Sequence, residues 1–129
     1  MLKTQEFLRN GGTLEQLKER FAIGYRISEA LRVVSLNYNQ IESPMSEEIV
    51  QECRCLILEL DTWDVKGITF RKFFNHGEGH VPQDFDWSRF RTYEKLDGSL
   101  IALWYHDTED WQIATRSVPD GSSQVDESG

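Results

Sequence analysis

The stretch Arg54-Cys-Leu-Ile-Leu-Glu-Leu60 constrains the fold of this chain more than any other. Read with the two-residue period of an extended strand, it sets Arg54, Leu56, Leu58 and Leu60 on one face and Cys55, Ile57 and Glu59 on the other. A strand cannot stand alone, because its backbone N–H and C=O groups need ladder partners. The neighbouring sequence offers them. Asp61-Thr-Trp-Asp64 reads as a turn into a second strand over Lys66–Phe73, and Leu31-Arg-Val-Val-Ser-Leu36 upstream is rich in β-formers. Further on, Ser99–Tyr105 and Trp111–Thr115 read as two strands about a hairpin at Asp107–Asp110.

Helical signals gather at the start. The first twenty residues read as two short helices, the first closed by Gly11-Gly12. Thr13-Leu-Glu-Gln16 has the spacing of a capping box, and Leu14, Leu17 and Phe21 form one apolar stripe behind it. Glu42-Ser-Pro44 breaks the chain before a short helix near Ser46–Val50. The expected fold is α+β, a mainly antiparallel sheet with short N-terminal helices. Its expected divisions are a helical segment over 1–22, a main unit over 23–118, and a polar tail over 119–129 where a longer protein was cut.

Composition bounds what such a chain does. Its 129 residues fit one domain or a large piece of one, and 39% hydrophobic residues with seven Phe and four Trp suffice for a core. A net charge of -8, from 22 acidic and 14 basic residues, argues against a positive coat for nonspecific nucleic-acid binding. One local basic groove remains compatible with it. Nothing is long and apolar enough to span a membrane, and the first residues lack the apolar stretch of a secretory signal. Cys53 and Cys55 lie too close in sequence for an unstrained disulfide and read as reduced thiols, so a cytoplasmic protein is expected.

The stretch that carries chemistry is Tyr93-Glu-Lys-Leu-Asp-Gly-Ser-Leu100. Lys95 is expected to end a strand, Asp97-Gly98 to make a tight turn, and Ser99 onward to start the next strand. One reading is a plain β-turn with a solvated lysine beside it. The other is that Lys95 attacks the α-phosphorus of a nucleotide. Only a neutral amine is a nucleophile, and with an ordinary lysine pKa of about 10.4 roughly one amine in 2,500 is neutral at pH 7. Such a lysine needs opposing positive charge, from a metal or from other basic residues, all the more beside Glu94 and Asp97.

Glu94-Lys95-Leu96-Asp97-Gly98-Ser99 resembles the lysine-nucleophile motif, K-x-D-G, of the covalent nucleotidyltransferases: DNA ligases, RNA ligases and mRNA capping enzymes. The resemblance is closer to the ATP-dependent RNA ligases of the T-even phage type and their bacterial relatives. Glu52-Cys53-Arg54 resembles that family's upstream E-C-R-G element, with Cys55 where the family usually has Gly. Arg71-Lys72-Phe73-Phe74-Asn75, followed by Gly77-Glu78, resembles its K-F-F-N segment. Ala114-Thr115-Arg116-Ser117 resembles the basic segment after the nucleophile, and Leu36-Asn37-Tyr38 with Gln40–Pro44 also has the family look.

The resemblance, over roughly residues 13 to 125, implies a partial nucleotidyltransferase domain and a set of roles. Lys95 would be adenylylated by ATP. Arg54, Lys72 and Arg116 would hold the nucleotide and its phosphates, Phe74 would pack near it, and Glu94 and Gly98 would flank the nucleophile. Mg²⁺ would assist, RNA 5′-phosphate and 3′-hydroxyl ends would be the substrates, and a missing C-terminal part of the same protein would carry the family's later acidic and lysine elements. Two alternatives stay open: a DNA ligase or capping-type nucleotidyltransferase, and a non-catalytic nucleotide-binding fragment. Weaker signals are His76-Gly-Glu-Gly-His80, read as a flexible loop by the nucleotide cleft rather than a metal site, and four tryptophans able to stack bases. Of these, Trp104 reads as core.

Overall fold

A computed structural model describes residues 1–82, 84–116 and 118–122. Most of the tail expected over 119–129, and the Ser117 that ends the post-nucleophile segment, lie outside the described residues. Two helices open the chain, α1 (Lys3–Arg9) and α2 (Leu14–Phe21). The capping box of α2 is present: the Thr13 hydroxyl accepts from the Gln16 N–H at 3.1 Å, and the Gln16 side chain accepts from the Thr13 N–H at 3.1 Å. Gly12 has no substitute in this turn, since a Cβ there would lie 2.3 Å from the Phe7 ring.

Four strands follow in one antiparallel sheet, in the order β1 (Ile23–Ser28), β2 (Val33–Tyr38), β3 (Arg54–Glu59), β4 (Val65–Gly67). A short helix, α3 (Glu48–Glu52), precedes β3 and sits two residues later than expected, because a turn donates the Glu47 N–H to the Pro44 carbonyl. A hairpin of β5 (Ile101–His106) and β6 (Asp110–Thr115) forms a second sheet. The fold is α+β and mainly antiparallel, as the sequence leads one to expect. Among the described residues no helix is long and apolar enough to cross a membrane.

Strand β3 is the hinge of the packing. Leu56 and Leu58 enter a core with Leu17, Ile23, Leu36 and Val50, beneath the helices. Cys55 and Ile57 enter a second core with Val33, Trp104 and Ala114, beneath the hairpin. The layers are therefore helices, sheet and hairpin, with β3 buried on both sides. Trp104 is core, 2% exposed, and its indole N–H donates to the Pro119 carbonyl at 2.9 Å. Gly67 lets β4 approach it, since a Cβ there would lie 3.1 Å from the Trp104 side chain. The outer face of the hairpin is the opposite: Ile101, Leu103, Tyr105, Trp111 and Ile113 are all exposed.

Three expectations fail locally. Strict alternation would put both thiols on one face, but Cys53 belongs to the helix-side core and Cys55 to the hairpin-side core. The reason is a bulge: Cys55 adopts φ +55°, and the β2–β3 register shifts between Leu36 and Asn37. Both thiols are free, and burial pushes Cys53 up to about 12 and raises Cys55 as well. The strand expected over Lys66–Phe73 lasts only from Val65 to Gly67. Beyond it the Thr69 hydroxyl donates to the Arg54 carbonyl and the Lys72 N–H to the Gln51 carbonyl, so the chain turns from the ladder toward the end of α3. Finally, Lys95 ends no strand. Residues 91–97 have no regular structure, and the first ladder pair of β5 is Ile101 with Thr115. A local turn signal at Asp97-Gly98 makes no hairpin without a partner strand on its other side.

Because β3 serves two cores, truncation on either face should be costly. Leu58→Ala and Ile57→Ala are each expected to lower stability by about 2–5 kcal/mol in a denaturant melt. A cost below about 1 kcal/mol for Ile57→Ala would show that the hairpin does not pack on the sheet.

Candidate active site

The site is assembled around Tyr38, at the end of β2. Its ring is 6% exposed, and its N–H donates to the Cys53 carbonyl at 2.8 Å, across the start of β3. Next to it, Asn37 accepts the Cys55 N–H on its side-chain oxygen at 2.9 Å. That bond satisfies a donor which the bulge takes out of the regular ladder. A left-handed φ of +55° is one that glycine adopts freely and other residues adopt at a cost of roughly 1–2 kcal/mol. Cys55 thus holds a conformation that a glycine would hold without strain.

Two cations meet on the Tyr38 ring. The Arg116 guanidinium, just past β6, lies 5.2 Å from the ring centroid and donates to the Tyr38 carbonyl at 3.2 Å. The Lys72 ammonium lies 5.6 Å from the same ring and 5.4 Å from Phe74. Each such contact is worth about 0.5–1 kcal/mol. Neither cation has a carboxylate partner among the described residues, whereas Arg71 next door is paired with Glu48 at 3.1 Å and Glu52 at 3.6 Å. Two like charges held against one ring repel each other, and an anion placed between them relieves that repulsion. Arg116, Tyr38, Asn37 and Arg26 also line a cavity of about 630 Å³.

The other expected site residues are placed differently. Arg54 is half-buried with its guanidinium 5.1 Å from the Phe73 ring, beside the cluster but not on Tyr38. Glu94, Lys95 and Gly98 are exposed, and no hydrogen bond or ion pair links them to Lys72 or Arg116 among the described residues. A Cβ at Gly98 would meet no atom within 4 Å, so nothing in the chain itself requires glycine there. His76 packs edge-on to Trp87 and His80 against Phe74, so the two rings serve different aromatic partners. No group of three His, Cys, Asp or Glu able to hold a metal occurs among the described residues. Sequence reasoning left Tyr38 without a role. Its signal was present, an aromatic closing the Val33–Tyr38 strand within the Leu36-Asn37-Tyr38 stretch, but its significance lies in what two distant segments place on it.

The arrangement is thus an antiparallel α+β module carrying a cationic, aromatic-based cleft. No family model matches the chain, and no solved structure does. A viral protein described as a bifunctional polynucleotide kinase/RNA ligase, from Autographa californica nuclear polyhedrosis virus, is 32% identical over 125 residues. The match takes in 90% of this chain and 18% of that relative, so the chain spans less than a fifth of the relative's length. It supports an RNA-ligase-related family for the chain.

The geometry around the bulge can be tested without any ligand. Asn37→Ala would leave the Cys55 N–H without its acceptor and should cost about 1–3 kcal/mol in a thermal melt. Asn37→Asp keeps an acceptor oxygen and should recover most of that loss.

Proposed function

We propose that the chain is the N-terminal part of an ATP-dependent RNA ligase in which Lys95 becomes adenylylated. The observation that carries this reading is the meeting of Lys72 and Arg116 on Tyr38, with Phe74 against Lys72. The resemblance assigned Lys72, Phe74 and Arg116 to one nucleotide from separate stretches of sequence, and the fold brings them together. The viral relative adds support, as a protein described as joining RNA.

In this reading the side chains divide the work. Lys72 and Arg116 grip phosphate oxygens by charge-assisted hydrogen bonds, and Arg54 adds a planar fork from the start of β3. Phe74 offers a ring to the nucleotide. The Lys95 amine attacks the α-phosphorus, forming a P–N bond as the P–O bond to pyrophosphate breaks and the amine loses a proton. The AMP then passes to an RNA 5′-phosphate, and a 3′-hydroxyl displaces it to form the phosphodiester. Lys95, with Glu94 and Gly98, lies on an exposed segment, so adenylylation requires that segment to close over nucleotide held at Tyr38. Mg²⁺ would neutralise charge on the nucleotide's phosphates. The described residues do not build its site.

One observation favours a second reading, a non-catalytic nucleotide-binding fragment: Lys95 is exposed on a segment without regular structure, with no strand end to hold its amine. An adduct assay separates the two. The 129-residue chain alone should join no RNA. A form extended by the region with the later acidic and lysine elements should gain the mass of one adenylate from ATP, and Lys95→Ala should abolish the gain. An adduct that survives Lys95→Ala, or a preference for GTP, would end the ligase reading.

Arg54 offers a finer test. Arg54→Lys keeps the charge but loses the bidentate fork, so lysyl-AMP formation by the extended form should slow by tenfold or more, on the order of one such hydrogen bond. The melt should hold, because Leu56, Ile57 and Leu58 are untouched. Unchanged adenylylation in both Arg54→Lys and Arg54→Ala would remove Arg54 from the site.

A further inference from the structure

We propose that the aromatic pocket beyond Phe74 binds an unpaired nucleobase of the RNA strand, stacked on Trp87 and Phe85. The inference rests on the RNA-joining reading and names where the RNA itself is held. The pocket has a volume of about 480 Å³ and is lined by Phe74, His76, Phe85, Trp87, Phe90 and Arg91 among others. That is room for a planar base, within the range of small-molecule sites.

These rings are not placed as core. Trp87 is 62% exposed, Phe85 52% and Phe90 53%, while Trp104 in the same chain shows a core tryptophan at 2%. Yet they are ordered relative to one another: Trp87 meets Phe85 at 4.9 Å, Phe90 at 6.0 Å and His76 at 6.0 Å, all edge to face. A short 3₁₀ turn, Trp87–Arg89, fixes the indole. Its cap is Asp86, whose carboxylate accepts from the Ser88 N–H at 3.0 Å and the Ser88 hydroxyl at 2.6 Å. Exposed rings held in advance lose little entropy when a base slides onto them.

The charge pattern selects the ligand. Arg91 lines the pocket and has no carboxylate partner among the described residues. Phe74 lines it too, with the His80 ring 5.0 Å and the Lys72 ammonium 5.4 Å from its own ring. Through Phe74 and Lys72 the pocket adjoins the cationic cluster on Tyr38. Aromatic faces interleaved with cations suit a strand whose bases stack while its phosphates are gripped alongside. An apolar peptide would have no use for the cations.

The test is equilibrium binding of a short 5′-phosphorylated single-stranded RNA to the 129-residue chain, read by fluorescence anisotropy. Trp87→Ala and Phe85→Ala should each weaken binding about tenfold, and Trp87→Phe should restore most of it. The melts should not move, because these side chains are exposed. An abasic ribose-phosphate strand of equal length should bind wild type and Trp87→Ala alike, whereas Lys72→Ala should weaken both strands. Undiminished RNA binding in Trp87→Ala and Phe85→Ala overturns the inference and leaves the ligase reading standing, since that hangs on the Lys95 adduct. Loss of ATP binding rather than RNA binding in Trp87→Ala also overturns it, making the pocket an adenine site. Stacking-dependent RNA binding without any Lys95 adduct would sustain the pocket and sink the ligase.

Discussion

The fold and the candidate site both depend on a buried carboxylate. Glu52, 1% exposed, accepts the backbone N–H groups of Lys3 and Thr4 at 3.0 Å each and the Thr4 hydroxyl at 2.9 Å, with Arg71 at 3.6 Å. A charge taken out of water costs several kcal/mol unless its lone pairs are filled, and the first turn of α1 supplies donors that have no partner within the helix. The bargain is mutual, because α1 would otherwise bury those same N–H groups unpaired. Through Arg71 the tie reaches the residue beside Lys72. One side chain thus fixes the N-terminal helix, the end of α3 and the segment that carries a site cation.

From that anchor the chain passes directly into β3, whose two faces organise everything else. Its helix-side leucines set the position of β2, and so of Tyr38. Its hairpin-side Cys55 and Ile57 set the position of β6, and so of Arg116. The cationic cluster forms because β3 holds two cores in register, the helix-side one placing the Tyr38 ring and the hairpin-side one bringing Arg116 to it. Lys72 arrives by a third route, along a segment pinned by hydrogen bonds to Arg54 and Gln51 rather than by a ladder.

What the sequence shows and what it hides follow from this. The Leu56–Leu58 face, the Thr13 capping box and the β5–β6 hairpin are legible because each rests on a local period or a local hydrogen bond. The bulge at Cys55 is not, since a cysteine gives no sign that its φ is positive. The early end of β4 depends on Thr69 finding a carbonyl fifteen residues away. The misplacement of Lys95 has a similar origin: Asp97-Gly98 is a good turn signal, but a strand exists only where another chain segment answers it. Lys72, Phe74 and Arg116 were nameable from motif likeness alone. That they share a neighbour, and that the neighbour is Tyr38, required the third dimension.

The bulge has a last consequence for the chemistry of sulfur in this chain. Cys53 and Cys55, the only two cysteines, face opposite layers of the molecule, and burial holds both as protonated thiols. Cys55, on β3, stays sealed while that strand and the hairpin hold together, and Cys53, just ahead of β3, while the helix-side core holds, so a reagent that captures thiolates must wait for one or the other to open. The pair is two built-in clocks: alkylation of Cys55 counts openings on the hairpin side, and alkylation of Cys53 openings on the helix side.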